Sequence, residues 1–229
     1  MIKGVYCSNA GLNAMQHKMD NLANNVANLN TEGFKQQRSA LITFKEFVTN
    51  VNQLYYKTTS GAYPGNLKND FSPGTIKETK RELDYAINGE GFFQLKTDQG
   101  MRYTRNGSFD IDAQGYLIDK RGNRVQGRRG DIRNRDGQLD QEPVVVRFPD
   151  GEQLQKDEEG LFKTEARGIT VPDSESKILR GYVETSNVDM VQNFSEMITV
   201  TKGLAANARV LTTHDNILKK STEEVGSLK

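Results

Sequence analysis

The stretch "DNLANNVANLNTEGFK" (residues 20–35) combines the apolar spacing of a helix with five asparagines. Its apolar residues continue a series that begins near the N-terminus and advances in steps of three and four from Leu12 onward: Val5, Leu12, Met15, Met19, Leu22, Val26 and Leu29. This heptad seam indicates an amphipathic helix. Gly33 suits the left-handed C′ position, which would place Phe34 at C″ against Leu29. We therefore predict a helix from about Lys3 to Glu32, after which Gly33 and Phe34 turn the chain away.

The asparagines weaken this helix, because Asn costs up to about 0.7 kcal/mol per helical position relative to Ala. Asn21, Asn24 and Asn28 share one helical stripe, and Asn25 flanks it. A purely solvent-exposed face would more usually carry Lys, Glu or Gln. Side-chain amides in a crowded interface can instead bond to neighbouring helices and fix their register. We therefore include Asn24, Asn25, Asn28 and Asn30 in a predicted assembly interface, in which Asn24, Asn28 and Asn30 would set the register between subunits.

The C-terminal part of the chain repeats this design. Apolar residues recur there every seven positions, at Met190, Met197, Leu204, Leu211 and Leu218. The intermediate heptad position is assigned to Phe194, Thr201, Ala208 and Asp215. Ser186 and Asp189 resemble a capping box at the start of the helix. Seams of similar length at opposite chain ends favour a helix pair, within or between subunits, over two helices that each pack on the middle of the chain.

All five prolines lie between residues 64 and 172, where turn-rich stretches separate short apolar runs. Asn88-Gly89 and Asn106-Gly107 suit two-residue hairpin turns, and the loop 113–115 suits a glycine in the left-handed region. The predicted fold class is therefore α+β, with long N- and C-terminal helices forming a coiled-coil stalk and a β-rich middle domain. The predicted domains are residues 1–43 with 181–229 as the helical domain, 44–74 as a connector, and 75–180 as the β-rich domain.

Charge and composition exclude several classes of function. The 229 residues include 31 Lys and Arg against 30 Asp and Glu, so the net charge of +1 gives no reason to expect a nucleic acid partner. No apolar run is long enough to span a bilayer, and the N-terminus has no apolar region typical of a cleaved signal peptide. We therefore expect a chain that is not embedded in a membrane.

No residue pattern supports a catalytic, cofactor-binding or metal site. His17 and His214 lie in opposite helical arms without a convincing second ligand. The sequence "DIDAQGYLIDKR" (110–121) begins like a calcium loop, but Arg121 stands where a bidentate Glu is needed. A basic cluster is predicted to be a solvated loop face or, second, a subunit contact: Lys120, Arg121, Arg124, Arg128, Arg129, Arg133 and Arg135. We expect no cofactor and no enzymatic activity.

Four stretches together carry a family resemblance. They are "NLANNVANLNTEGFK" (21–35), "AINGEGFFQL" (86–95), "YTRNGSFDIDAQGYLID" (103–119) and "GYVETSNVDMV" (181–191). In this order, they resemble the flagellar rod and hook family, the axial proteins of the bacterial flagellum. The resemblance covers somewhat more than half of the chain, from end to end.

The resemblance implies a structural subunit of the flagellar basal-body rod. Many copies would assemble into a drive shaft that carries torque from motor to hook, and their paired terminal helices would form its inner tube. It implies as partners other copies of the chain, other rod and hook proteins, and the flagellar type III export apparatus, which would deliver the chain beyond the inner membrane without a cleaved signal. The chain is short for a hook subunit; "GYVETSNV" is most similar to the distal rod subunit, and a proximal rod subunit of similar plan remains open. The alternatives are a hook subunit or a secreted β-rich binding module with a helical oligomerisation stalk.

Overall fold

The computed structural model describes residues 2–43, 62–135, 137–148, 154–157, 160–164, 168–170 and 176–226. Residues 44–61 of the predicted connector thus lie outside the described residues. The chain divides into two compact units. A helical unit holds the described residues within 1–27, 37–68 and 189–229, and a β unit holds those within 28–36 and 69–188.

The helical unit is built on two long helices. Helix α1 is Ile2–Ala27 and helix α2 is Met190–Gly226. Two strands, β1 (Gln37–Thr43) and β2 (Ala62–Asn69), form a two-stranded sheet. α1 and α2 pack together antiparallel, because Asn25 meets Asn193 near one end while Gly11 meets Asn207 near the other.

Helix α1 ends earlier than the sequence predicts. It stops at Ala27, and the next residues form turns in which Asn28 O accepts from Thr31 N and Thr31 O accepts from Phe34 N. Gly33 is left-handed, with φ of 67°, but it lies six residues beyond the helix. Its assignment as the helix C′ residue is therefore wrong. The short polar side chains of Asn28 and Asn30 favour turns over helix, which accounts for the early end.

The N-terminus of α2 also differs from the prediction. Asp189, directly before the helix, accepts a hydrogen bond through Oδ1 from Gln192 N at 3.0 Å and is the N-cap. Ser186 Oγ accepts from Val188 N at 3.3 Å instead of capping the helix. The capping-box assignment of Ser186 is wrong because residues 186–188 precede the helix and the N-cap is Asp189.

The β unit consists of short strands. They are β3 (Ile76–Glu78), β4 (Tyr85–Asn88), β5 (Phe92–Thr97), β6 (Gly100–Thr104), β7 (Asp110–Ile111), β8 (Leu117–Ile118), β9 (Arg124–Gly127), β10 (Gly130–Asp131), β11 (Asn134–Arg135), β12 (Gln138–Leu139), β13 (Val145–Arg147), β14 (Gln155–Lys156), β15 (Phe162–Lys163), β16 (Ile169–Thr170), β17 (Lys177–Arg180) and β18 (Tyr182–Glu184).

Ten of these strands form one antiparallel sheet in the order β14-β15-β6-β5-β9-β8-β7, in which β10 pairs with β9, and β13 with β5 and β16. Three further pairs are β11-β12, β17-β4 and β18-β3. Strand β5 supplies both hydrophobic cores, since its side chains alternate between the two faces. Phe93 and Leu95 pack in one core with Phe109 and Leu117, whereas Phe92 packs in the other.

The turn predictions have mixed outcomes. The loop 113–115 does connect the antiparallel pair β7-β8, and Gly115 has φ of 84°, as predicted. Asn88-Gly89 is not a hairpin turn, because β4 pairs with β17 from late in the chain and not with β5. Asn106-Gly107 is not one either: Asn106 Oδ1 accepts from Ser108 N, and Gly107 O accepts from Tyr85 N. Local turn residues do not specify the strand partner, which packing decides.

The fold class α+β is confirmed, with two terminal helices and a β-rich middle. The β character predicted for residues 128–180 is also confirmed for the described part of that range, which contributes strands β10 to β17.

Candidate assembly interface

The seam residues predicted in α2 lie in two environments. Met197, Leu204 and Leu211 are half-buried, whereas Met190 and Leu218 are exposed by 53% and 42%. The buried residues Asn193 and Val200 lie on the same side as the half-buried three. This side of α2 faces α1, as the Asn25–Asn193 contact shows.

The intermediate heptad position in α2 is misassigned by one residue. Phe194, Thr201, Ala208 and Asp215 are exposed. The positions one residue earlier are buried or half-buried instead: Asn193, Val200, Asn207 and His214. Sequence reasoning missed this stripe because two of its four members are asparagines, which an apolar pattern does not select. In both, the amide has a partner, since Asn193 Nδ2 donates to Asp189 O and Asn207 Nδ2 approaches Met15 Sδ.

The α1 seam is buried to different degrees. Leu22 is buried, whereas Leu12, Met15 and Val26 are half-buried. Leu29 is half-buried too but lies beyond the helix end, in the β unit. The most buried stripe of α1 includes small and polar residues outside the predicted seam: Gly11, Ala14, Asn21 and Asn25. The two helices approach closely where small residues line the contact. A Cβ added to Gly203 would lie 2.9 Å from Met15 Sδ.

Asn25 is the centre of a hydrogen-bonded group within the helical unit. It is 1% exposed, its Nδ2 donates to Gln37 O at 2.8 Å, and its Oδ1 accepts from Gln37 N at 3.1 Å. Nδ2 also lies 3.4 Å from Oδ1 of both Asn21 and Asn193. The Asn25 amide thus pairs with both backbone groups of Gln37, the first residue of β1, as a residue on a neighbouring strand would. Asn21 is buried and Asn24 is exposed on α1, while Asn28 lies in the turn after it, so these three asparagines do not form the single helical stripe predicted. Asn30 also lies beyond the end of α1.

Gly33 and Phe34 are built into the β unit. Gly33 N donates to Glu184 O at 2.8 Å, and the backbone of Asn106 lies against its Cα. Phe34 is buried, and the Lys156 ammonium lies 3.8 Å from its ring centroid. Burial lowers the pKa of Lys156 to about 8, while the Asp157 carboxylate opposes this shift.

Helix α2 carries a second apolar face that α1 does not cover. Val191, Phe194 and Ile198 follow helical spacing and are exposed by 79%, 40% and 58%. By helical periodicity, they point away from the side that bears Asn193 and Val200. Exposed aliphatic and aromatic side chains grouped on one face are typical of a surface that binds another protein. This group, the outer face of α2, is a candidate contact between subunits.

A buried ionic cluster joins the segments that carry the family resemblance. Lys35 Nζ donates to Glu184 Oε1 at 2.6 Å, and Arg105 Nη1 donates to Glu184 Oε2 at 3.2 Å. The three side chains are 0%, 4% and 1% exposed for Lys35, Arg105 and Glu184. Gly74 N also donates to Glu184 Oε1 at 2.8 Å. Burial lowers the pKa of Lys35, and Glu184 opposes this shift.

Sequence reasoning did not select this cluster, although its members lie inside "NTEGFK", "YTRNGSF" and "GYVETSN". The available signal was a charged residue within or at the end of each motif. A single charged residue is ordinarily solvent-exposed, so the pattern alone does not indicate burial.

The predicted basic cluster is partly neutralised within the β unit. The guanidinium carbons of Arg124 and Arg133 lie 4.0 and 4.3 Å from the centroid of the Tyr116 ring. Asp131 accepts from Arg124 at 3.0 Å, and the hydrogen bond from Gln126 holds the pKa of Asp131 below its usual range. Among the described residues, no group of three or more His, Cys, Asp or Glu side chains could hold a metal ion, and no helix is long and apolar enough to cross a membrane.

Comparison with known proteins identifies the family. Residues 86–203 match the model of the flagellar hook protein FlgE/F/G D1 domain, and residues 6–35 match that of the flagella basal body rod protein. The chain is 28% identical to the flagellar basal-body rod protein FlgG of Bacillus subtilis, over 96% of this chain and 98% of that protein.

Two further relatives agree. The chain is 30% identical to FlgG of Buchnera aphidicola (subsp. Baizongia pistaciae), over 96% of this chain and 98% of that protein. It is 26% identical to the basal-body rod protein FlgF of Caulobacter vibrioides, over 93% and 94% of the two chains. The chain therefore belongs to the flagellar basal-body rod protein family.

Proposed function

We propose that this chain is a structural subunit of the bacterial flagellar basal-body rod, which polymerises with copies of itself and contacts other rod and hook proteins. Family membership supports the rod assignment, and one observation supports the mode of assembly. The outer face of α2 leaves Val191, Phe194 and Ile198 exposed on a helix whose other side is already packed against α1.

The proposed contact is helix against helix between subunits. Each fully buried Val, Ile or Phe side chain contributes roughly 1.5–3 kcal/mol, so covering the outer face in a neighbour would supply several kcal/mol per subunit. A single copy cannot provide that cover with α1, whose packing residues meet the opposite side of α2. Repeated helix packing of this kind would form the inner tube of a rod, and the coiled-coil arrangement remains part of the proposal.

The predicted interface residues divide between two roles in this proposal. Met197, Leu204 and Leu211, with Leu12, Met15, Leu22 and Val26 on α1, would hold the helix pair within one subunit. Exposed Met190, Leu218 and Asn24 remain candidates for contacts between subunits. Asn28, Asn30, Gly33 and Phe34 lie directly after α1, in the β unit, and would hold this segment of the chain in that unit.

Several finer features are proposed with it. Export beyond the inner membrane by the flagellar type III apparatus, without a cleaved signal, is inferred from the family. A non-enzymatic role in transmitting torque is inferred in the same way. Both FlgG and FlgF relatives match over nearly the whole chain, so a distal and a proximal rod position are both compatible with the proposal.

A matched pair of substitutions on α2 tests the assembly proposal. Ile198→Asp places a charge on the outer face, and Thr199→Asp places the same charge on the next residue, which is exposed but off that face. We expect Ile198→Asp to prevent completion of the rod and to abolish swimming in cells lacking the native gene. Thr199→Asp should restore both.

Electron microscopy of basal bodies, together with a swimming assay, provides the readout. Circular dichroism of the purified variants checks that both keep the helicity of the native chain. Normal rods in cells that carry only Ile198→Asp would refute the proposed contact. Normal rods and normal swimming in cells without the gene would contradict the assignment as a rod subunit and favour a secreted binding module.

A further inference from the structure

The members of the buried ionic cluster come from distant parts of the chain. Lys35 lies in residues 28–36, the first segment of the β unit. Arg105 follows β6, and Glu184 ends β18, the last strand. Glu184 is also tied through its backbone, because its carbonyl oxygen accepts from Gly33 N at 2.8 Å. The last strand of the β unit is therefore bonded to its first segment.

The charges of the cluster are not balanced within the buried group. Two cations, Lys35 and Arg105, share one carboxylate, that of Glu184. Asp70 is half-buried and acts on Lys35 at longer range, and the Glu90 side chain, 82% exposed, acts similarly on Arg105. Without Glu184, folding the β unit would bury two cations without the carboxylate that they share. A charge buried without its partner is strongly destabilising.

Both cations precede the Glu184 carboxylate along the chain, and this order affects when the β unit can fold. A chain delivered N-terminus first, from a ribosome or through a channel, presents both cations before the carboxylate that neutralises them. We propose that the Glu184 carboxylate is a folding checkpoint. Until the chain has been delivered as far as residue 184, the two unneutralised cations prevent the β unit from folding. This inference concerns folding alone, so it can be tested independently of rod assembly.

The checkpoint predicts a specific pattern of coupling between charges. Glu184→Gln leaves two buried cations, whereas Lys35→Met leaves the balanced pair of Arg105 and Glu184. Lys35 Nζ also donates to Ser72 O at 2.7 Å, and that oxygen keeps a partner in Lys35→Met, since it accepts from Asn187 Nδ2 at 3.1 Å as well. Combining the two substitutions removes one of the two uncompensated cations. Lys35→Met should therefore stabilise the β unit in the Glu184→Gln chain. In the native chain, where the same substitution removes the Lys35–Glu184 ion pair, we expect no such stabilisation.

Hydrogen exchange of the full chain, read by mass spectrometry over residues 92–104, measures this coupling in the β unit. We expect Glu184→Gln to accelerate exchange of the most protected amides by about 100-fold or more. The double variant should exchange at least about tenfold more slowly than Glu184→Gln, since relieving a buried charge repulsion is worth more than one factor of ten. Glu82→Gln, which breaks an exposed ion pair with Arg180, is the control and should stay within about threefold of the native chain.

A kinetic experiment tests the checkpoint itself. The full native chain is refolded from urea and labelled with brief exchange pulses at increasing times. We expect amides of β5 and β6 to become protected only together with those of residues 182–184. Protection of β5 and β6 before residues 182–184 would overturn the proposal. A double variant that exchanges as fast as Glu184→Gln would overturn it as well.

Discussion

Replacing Gly33 by alanine should destabilise the β unit through two separable effects. The first is conformational, since Gly33 has φ of 67° and an L-residue in the left-handed region costs about 1–2 kcal/mol. The second is steric, because an added Cβ would lie 2.2 Å from Asn106 N and 2.4 Å from Arg105 C, both backbone atoms that cannot rotate away. Overpacking of this kind costs about 1–3 kcal/mol. The sum predicts a loss of about 2–5 kcal/mol.

Gly122→Ala isolates the conformational effect. Gly122 has φ of 88° and nothing lies within 4 Å of its added Cβ, so only the backbone cost applies. Hydrogen exchange over β5 and β6 at increasing urea gives the free energy of unfolding of the β unit in each variant. We expect Gly33→Ala to lose at least about 1 kcal/mol more than Gly122→Ala. Equal losses would refute the argument that close approach of Asn106 requires glycine at position 33.

Two further predictions concern hydrogen bonding and pH. Asn25→Leu should lower the stability of the helical unit by about 1–3 kcal/mol, since it removes the two hydrogen bonds between the Asn25 amide and the Gln37 backbone; helicity followed by circular dichroism on heating checks this, and an unchanged melting temperature contradicts it. For Lys156, the folded pKa of about 8 lies below the ordinary value of 10.5, so the unfolded chain binds more protons between these values and stability rises with pH there. Lys156→Met should flatten this rise, and an unchanged slope between pH 8 and 10.5 would argue against buried Lys156 as its source.

The terminal helices could be predicted from sequence because their signal is local. Leu22, Met197, Leu204 and Leu211 repeat at helical spacing, and all are at least half-buried in the structure. The boundaries could not be found with the same certainty. The end of α1 depends on the turn at Asn28, where helix and turn differ little in free energy and the surrounding packing decides.

The β unit was predictable in character but not in pairing. Short apolar runs separated by turn signals indicate strands, yet β4 pairs with β17, about ninety residues later, through a register that no local turn specifies. The ionic cluster was hidden for a related reason. Whether a charged residue is buried depends on its partner, and the partners Lys35 and Glu184 are far apart in sequence.

The antiparallel register of α1 and α2 bears on how this protein can be labelled. Asn25 meets Asn193 and Gly11 meets Asn207, so the N-terminus of α1 lies beside the later turns of α2, and α2 continues past it by about 15 Å at 1.5 Å per residue. A purification tag or fluorophore on either chain terminus therefore occupies the same end of the helical unit. An internal label at Gly122, where space is open, is attached to the β unit and leaves both chain termini unmodified.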